Sequence, residues 1–215
     1  MIGEALVNVT QAAVDRHITG AEGQRTALRF GDKQYSFHDL AALTNRAGNM
    51  LKRMGVAAGQ PIVIAVPPSP AYVASLLGAM KIGALPVLFA GAVDRAALSK
   101  VLAELRPAVL VIHQELASAL EPSRIAEDAV VVVGQEPGPF KSFVELLREA
   151  PSSLSGAPVE DGAPALCVHD GGSLHTLSNA ELTAALDGRS STAPAAAKAL
   201  ELLRTLSACG TAMLA

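Results

Sequence analysis

Apolar residues along this chain switch repeatedly between the three-and-four spacing of helices and short continuous runs typical of buried strands. That alternation predicts an α/β sheet with crossover helices. A first helix is expected over Val9 to Ile18. Strands Thr26 to Phe30 and Lys33 to Ser36, turning at Gly31-Asp32, read as a hairpin. Ser36, with Asp39 three residues on, is a capping box. Behind it Leu40, Leu43, Ala47, Met50, Leu51 and Met54 share one helical face, and Gly55 ends the helix. Pro61 to Val66 is a strand. Ser69-Pro70 supplies an N-cap and an N1 proline for a helix with Val73, Leu76, Leu77 and Met80 inward and Gly83 as its stop. Leu85 to Phe89 is the next strand. Asp94 caps a helix that buries Leu98, Val101, Leu102 and Leu105, closed by Pro107. Val109 to Ile112 and Val130 to Val133 are further buried strands, and a Ser142–Glu145 box opens a short helix before Pro151.

Beyond Pro151 the pattern loosens. Pro, Ser, Gly and Ala dominate as far as Ala163, which predicts a surface linker. Ala165 to Val168 and His175 to Leu177 are strand-like, and Ser178 with Glu181 caps another helix. Gly188 to Pro194 is a second loose segment. An amphipathic helix from Pro194 to Ala208 carries Leu200, Leu203 and Leu206, and Thr211 to Ala215 is a short strand-like run. The expectation is a three-layer α/β fold with a mostly parallel sheet flanked by helices. Residues 1–150 form its first subdomain and residues 163–215 a partial second lobe.

Composition narrows the function classes. Charged residues make up 17% of the 215, against about 25% in ordinary soluble domains. Such a surface favours association, so a homodimer or a complex with a partner chain is expected. The net charge of −3 gives no electrostatic case for nucleic acid or an anionic membrane. Residues 67–93 carry one charge, Lys81, and are long enough to span a bilayer, but Pro70, Gly83 and Pro86 divide them into a helix and a strand. Cys167 and Cys209 form neither a metal-type spacing nor a disulfide framework, and the first residues hold no long apolar run of the secretory kind. A reducing cytoplasmic setting follows.

The run Tyr35-Ser36-Phe37-His38-Asp39-Leu40 resembles the L-T-Y-x-E-L motif of AMP-forming acyl-CoA synthetases and adenylation domains. Met80-Lys81-Ile82-Gly83-Ala84-Leu85-Pro86-Val87 resembles their L-K-A-G-A-x-x-V-P motif. Asn45-Arg46, Leu51, Gly55-Val56, Gly59 and Pro68 to Pro70 fall between them in the family's order, and Arg106 to Val111 resembles a later strand entry. Asp15-Arg16-His17 and Ser142 to Ala150 look most like the benzoate-CoA ligase branch. The resemblance implies the fold of the ligases' N-terminal subdomain. It also implies an activity: ATP and a carboxylate give an acyl-adenylate and pyrophosphate, and coenzyme A then takes the acyl group.

The sequence departs from that pattern where it should hold phosphate. A triphosphate needs backbone N–H groups, hydroxyls and a cation around it. The family's loop of the form Y-T-S-G-T-T-G-x-P-K-G provides them. Here His169, Asp170, Gly171, Gly172 and Ser173, then Leu174-His175, stand in its place: shorter, with one hydroxyl, no lysine and an added aspartate. Asp-Gly-Gly is strong turn chemistry, so a trimmed hairpin is expected. A metal held by His169, Asp170 and His175 is the competing reading. Ser173, His175 and Asp170 lack a nucleophile elbow, and no catalytic residue is assigned. Cys167 reads as a core thiol, His38 as solvated, His113 as a residue at the sheet edge, and Lys81 as a cation at a helix C-terminus. The expectation is therefore a ligase-like domain without ligase activity. It would use neither ATP, magnesium nor CoA, and would bind a partner chain or a small acyl or aryl ligand. The alternative is one half of a split ligase completed in trans.

Overall fold

The computed structural model describes residues 8–118, 120, 124–187 and 194–214. The chain enters through α1 (Val9–Ala13), shorter than the helix expected to reach Ile18. Val14, at φ −134° and ψ −57°, leaves the helical region, and a 3₁₀ turn over Asp15–His17 follows. β1 (Thr26–Phe30) and β2 (Lys33–Ser36) form the expected hairpin, with Gly31 at φ +55° in its turn. Ser36 then caps α2 (Phe37–Arg53). Its Oγ accepts from the Asp39 amide at 3.1 Å, and Asp39 Oδ2 accepts from the Ser36 amide at 2.9 Å. Such a cap is worth about 1 kcal/mol.

The main sheet has seven strands. β3 (Pro61–Ala65), β4 (Leu85–Phe89), β5 (Val109–His113), β6 (Val130–Val133), β7 (Lys141–Ser142) and β8 (Pro164–His169) run parallel, and β9 (Leu174–Ser178) returns antiparallel. Their order is β7-β6-β5-β3-β4-β8-β9. Alternate residues of the central strands enter different cores. Ile62 and Ile64 face one side with Val109, Val111 and Val131. Val63 and Ala65 face the other with Leu110, Ile112, Val130 and Val132. Strands buried on both faces explain the continuous apolar runs, which parallel sheets require.

Helices cover both faces. α3 (Pro70–Lys81), capped by Ser69 with Pro70 at N1, packs with α2 on the first face. α4 (Arg95–Leu105), capped by Asp94, and α5 (Gln114–Ala117) cover the second. α6 (Phe143–Glu149) buries Phe143; of the Ser142–Glu145 box only the Ser142 half forms, at 3.4 Å. The apolar stretch 67–93 is shared between α3 and β4. No helix among the described residues is long and apolar enough to cross a membrane.

Residues 151–163 are the surface connection that composition predicts, but they are fastened to α2. They have no regular secondary structure, yet polar side chains of α2 fasten their carbonyls. Asn45 Nδ2 donates to Ser152 O at 2.8 Å, and Asn49 Nδ2 donates to Pro151 O at 2.8 Å and Ser153 O at 2.9 Å. The Ala157 amide donates to Lys81 O at 2.8 Å. This strap leads into β8, which pairs with β4, so β8 and β9 extend the main sheet. α7 (Asn179–Leu186) starts at a full Ser178–Glu181 capping box. The second loose segment, 188–193, lies outside the described residues. α8 (Ala197–Ser207) follows a 3₁₀ turn at Pro194–Ala196, and β10 (Ala212–Leu214) pairs parallel with β1.

Candidate ligand site at the β8–β9 turn

β4 and β8 end side by side, with Phe89 in register with His169. This is the carboxyl edge of the parallel sheet, where open α/β folds place ligands. The turn that follows is closed on itself. Asp170 Oδ1 accepts from the Gly172 and Ser173 amides, each at 2.9 Å, and Oδ2 lies 2.7 Å from His175 Nε2. Gly171 takes φ +98°, which glycine adopts without strain. Lys100 Nζ, reaching over from α4, donates to Gly172 O at 2.5 Å. The backbone amides of Ser173 and Gly172, and then His175, hold the Asp170 carboxyl well below the usual carboxylate range. Amides that could have faced a bound anion thus already serve an internal one.

Beside the turn lies a pocket of about 300 Å³, lined by Phe89, Gly91, Asp94, Lys100, His169 and Asp170, among others. Asp94 Oδ1 is occupied by capping, accepting from the Ala97 amide at 2.7 Å. His169 differs from its neighbours. It is 2% exposed, and its Nδ1 accepts from the Gly171 amide at 3.3 Å. With Nδ1 accepting, a ring proton sits on Nε2. That buried N–H has no hydrogen-bond partner, a state that costs about 1–3 kcal/mol. Its ring meets Phe89 edge to face, with centroids 5.7 Å apart. The Lys100 ammonium and the aromatic wall of Phe89 suit a small ligand bearing a hydrogen-bond acceptor.

The expected trimmed hairpin is present, and His169 to Ser173 all sit at it. The structure does not assemble the metal reading of His169, Asp170 and His175. Asp170 and His175 pair, but among the described residues the three offer no common set of ligand atoms. His169 closes the strand beneath them, because the β8 alternation turns it into the protein. His38 is exposed, as expected. His113 ends β5, 3.7 Å from Glu115. Cys167 is buried in β8, and burial pushes its thiol up. Sequence reasoning missed Lys100, Phe89 and Asp94 as neighbours of the turn. Only the strand order brings α4 and the end of β4 beside β8, and no local signal encodes it. Lys81 is more than a helix-end cation: it is 2% exposed and its Nζ lies 2.7 Å from Asp15 Oδ1.

The acetyl-coenzyme A synthetase of Bacillus subtilis is 37% identical to this chain over 84 residues, which are 37% of this chain and 15% of that protein. The 3-hydroxybenzoate/4-hydroxybenzoate–CoA ligase of Thauera aromatica is 32% identical over 81 residues, 38% of this chain and 16% of that protein. The solved acyl-CoA synthetase of Brucella canis superposes with a TM-score of 0.82 at 21% identity. It covers 100% of this chain, which spans 44% of it, and at that identity the likeness shows the fold alone. The chain thus matches less than half the length of each of these proteins. The AMP-binding enzyme family matches residues 14–168, most of the sequence, and the chain belongs to that family.

Proposed function

We propose that this chain is a ligase-derived binding module that does not itself activate carboxylates. The observation that carries this reading is the Asp170 carboxylate sitting on the Gly172 and Ser173 amides. A phosphate entering there meets a fixed negative charge and amides already in use. The lysine of the motif is also absent from 169–175, and the nearby Lys100 is bonded to Gly172 O. The pocket beside the turn takes a small acyl or aryl ligand with its acceptor oxygen toward the Lys100 ammonium and its apolar part against Phe89.

Calorimetry with magnesium–ATP tests the reading. Binding weaker than about 1 mM, or about −4 kcal/mol, is expected. Submillimolar binding overturns it. A titration with benzoate and short acyl carboxylates, followed through the His169 ring resonances, tests the pocket. The His169 signals are expected to move, and no movement at millimolar ligand removes the pocket from the proposal.

A second reading, one half of a split ligase completed by another chain, is favoured by β10. Among the described residues it is the outer strand of the β10-β1-β2 sheet, with Met213 71% exposed, and no strand pairs with its other edge. Pull-down from the source cell followed by ATP–pyrophosphate exchange separates the two: activity that appears only with a captured ligase-like chain supports the split enzyme.

A further inference from the structure

Away from the turn, two short 3₁₀ segments, Asp15–His17 and Gly20–Gln24, bring side chains to the residues that follow α8. A ring nitrogen of His17, a carboxylate oxygen of Glu22 and the Sγ of Cys209 all lie within 4.8 Å of one another. His17 Nδ1 is 3.2 Å from Glu22 Oε2. His17 and Cys209 are buried, at 5% and 7% exposure, while Glu22 closes the solvent side. The His17 ring rests on Phe37, with centroids 4.8 Å apart, which gives the cluster an apolar floor.

The backbone adds an independent observation. α8 ends with the Cys209 amide donating to Leu206 O at 2.9 Å and the Gly210 amide donating to Thr205 O at 2.8 Å. In this helix ending the residue in the left-handed region is ordinarily glycine. Here it is Cys209, at φ +55°. A side chain is thus kept where its absence would relieve strain, and that side chain is a thiol beside an imidazole and a carboxylate.

We propose that His17, Glu22 and Cys209 form a three-ligand site for Zn²⁺, with water in the fourth position, tying the N-terminal turns to the end of α8. Nitrogen, thiolate and carboxylate together suit a borderline-soft divalent ion rather than calcium or magnesium, which take oxygen donors. Bonds of about 2.0–2.3 Å to a tetrahedral ion place ligand atoms roughly 3.3–3.8 Å apart, a closing movement that the exposed Glu22 can supply. Arg16 competes for the histidine: its Nε donates to His17 Nε2 at 3.2 Å, and its Nη2 donates to Ser207 O. Arg16 is exposed, so water can replace both bonds when it moves away. On binding, His17 offers Nδ1 and carries its proton on Nε2, Arg16 Nε withdraws, and the Cys209 thiol releases one proton.

The test is made on the full chain, reduced and stripped with chelator, using Zn²⁺ by calorimetry and Co²⁺ by absorption. One ion per chain, a rise in Tm and a thiolate-to-cobalt charge-transfer band are expected. Cys209→Gly is expected to fold at least as stably as the metal-free wild type, because glycine fits the left-handed position. It should lose the band and at least about 100-fold in Zn²⁺ affinity. His17→Ala should lose comparable affinity, and Cys167→Ser should keep both signals. The proposal is overturned if the wild type binds no Zn²⁺, if Cys209→Gly binds it unchanged, or if Cys167→Ser removes the band.

Discussion

Replacing Gly78 by alanine probes the close backbone approach where α3 crosses α2. A Cβ at Gly78 would lie 2.7 Å from Gly48 N, 2.8 Å from Ala47 Cβ and 3.0 Å from Ala47 C. Carbon atoms in contact prefer about 3.5–4.0 Å, so the helices must part by about 0.7 Å or more. The obstacle is backbone and a Cβ, and neither can rotate away. Overpacking of this kind costs up to about 3 kcal/mol. Alanine returns about 1 kcal/mol of helix propensity. The net expectation is a loss of about 2 kcal/mol, or roughly 4–8 °C in Tm for a domain of this size. Thermal unfolding followed by circular dichroism measures it. Gly162→Ala is the control, since a Cβ there meets nothing within 4 Å; its change should stay within about 0.5 kcal/mol. A Gly78→Ala protein melting at or above the wild type refutes the reasoning.

Other consequences follow from the same structure. Asp15→Ala strands the Lys81 ammonium, whose side chain is 3% exposed. Urea denaturation should show a loss of about 3 kcal/mol, the low end for a broken buried pair because Asp15 is partly solvated; a loss under 1 kcal/mol contradicts it. The Asp170 carboxyl, depressed by the Ser173 and Gly172 amides, should stay ionised when a carbon-detected titration passes the ordinary aspartate value of about 3.9. Since its folded value is the lower one, its contribution to stability is present above that ordinary value and is lost as pH falls through the folded value. An ordinary titration point for Asp170 sinks this assignment. Cys167, buried and with its thiol pushed up, should react with a disulfide reagent only as the protein unfolds; rapid labelling in native buffer rules that out.

What the sequence made legible was mostly what is local. The Ser36–Asp39 and Ser178–Glu181 capping boxes, the Ser69-Pro70 helix start and the Gly31 turn each depend on residues within one turn of the chain, and all are present. The continuous apolar run Ile62-Val63-Ile64-Ala65 marks a doubly covered strand for the same reason. What stayed hidden depends on sequence-distant contacts. Nothing near Lys100 says that it will meet Gly172, because their meeting needs β4 and β8 as neighbours. Residues 151–163 read as a linker from composition, since the asparagines that fasten them stand about a hundred positions earlier, at Asn45 and Asn49. Lys81 reads as a helix-end cation because its partner, Asp15, stands far earlier in the chain. Cys209 has no metal-type spacing with Cys167, and its neighbours His17 and Glu22 stand at the other end of the chain.

In the proposed function the Asp170 carboxylate keeps the Gly172 and Ser173 amides from any phosphate. Titrating the ¹⁵N-labelled protein with magnesium–pyrophosphate, while watching those two amide resonances, reads this directly. They should remain in place up to millimolar pyrophosphate. Saturable shifts of both amides at submillimolar concentration would contradict it.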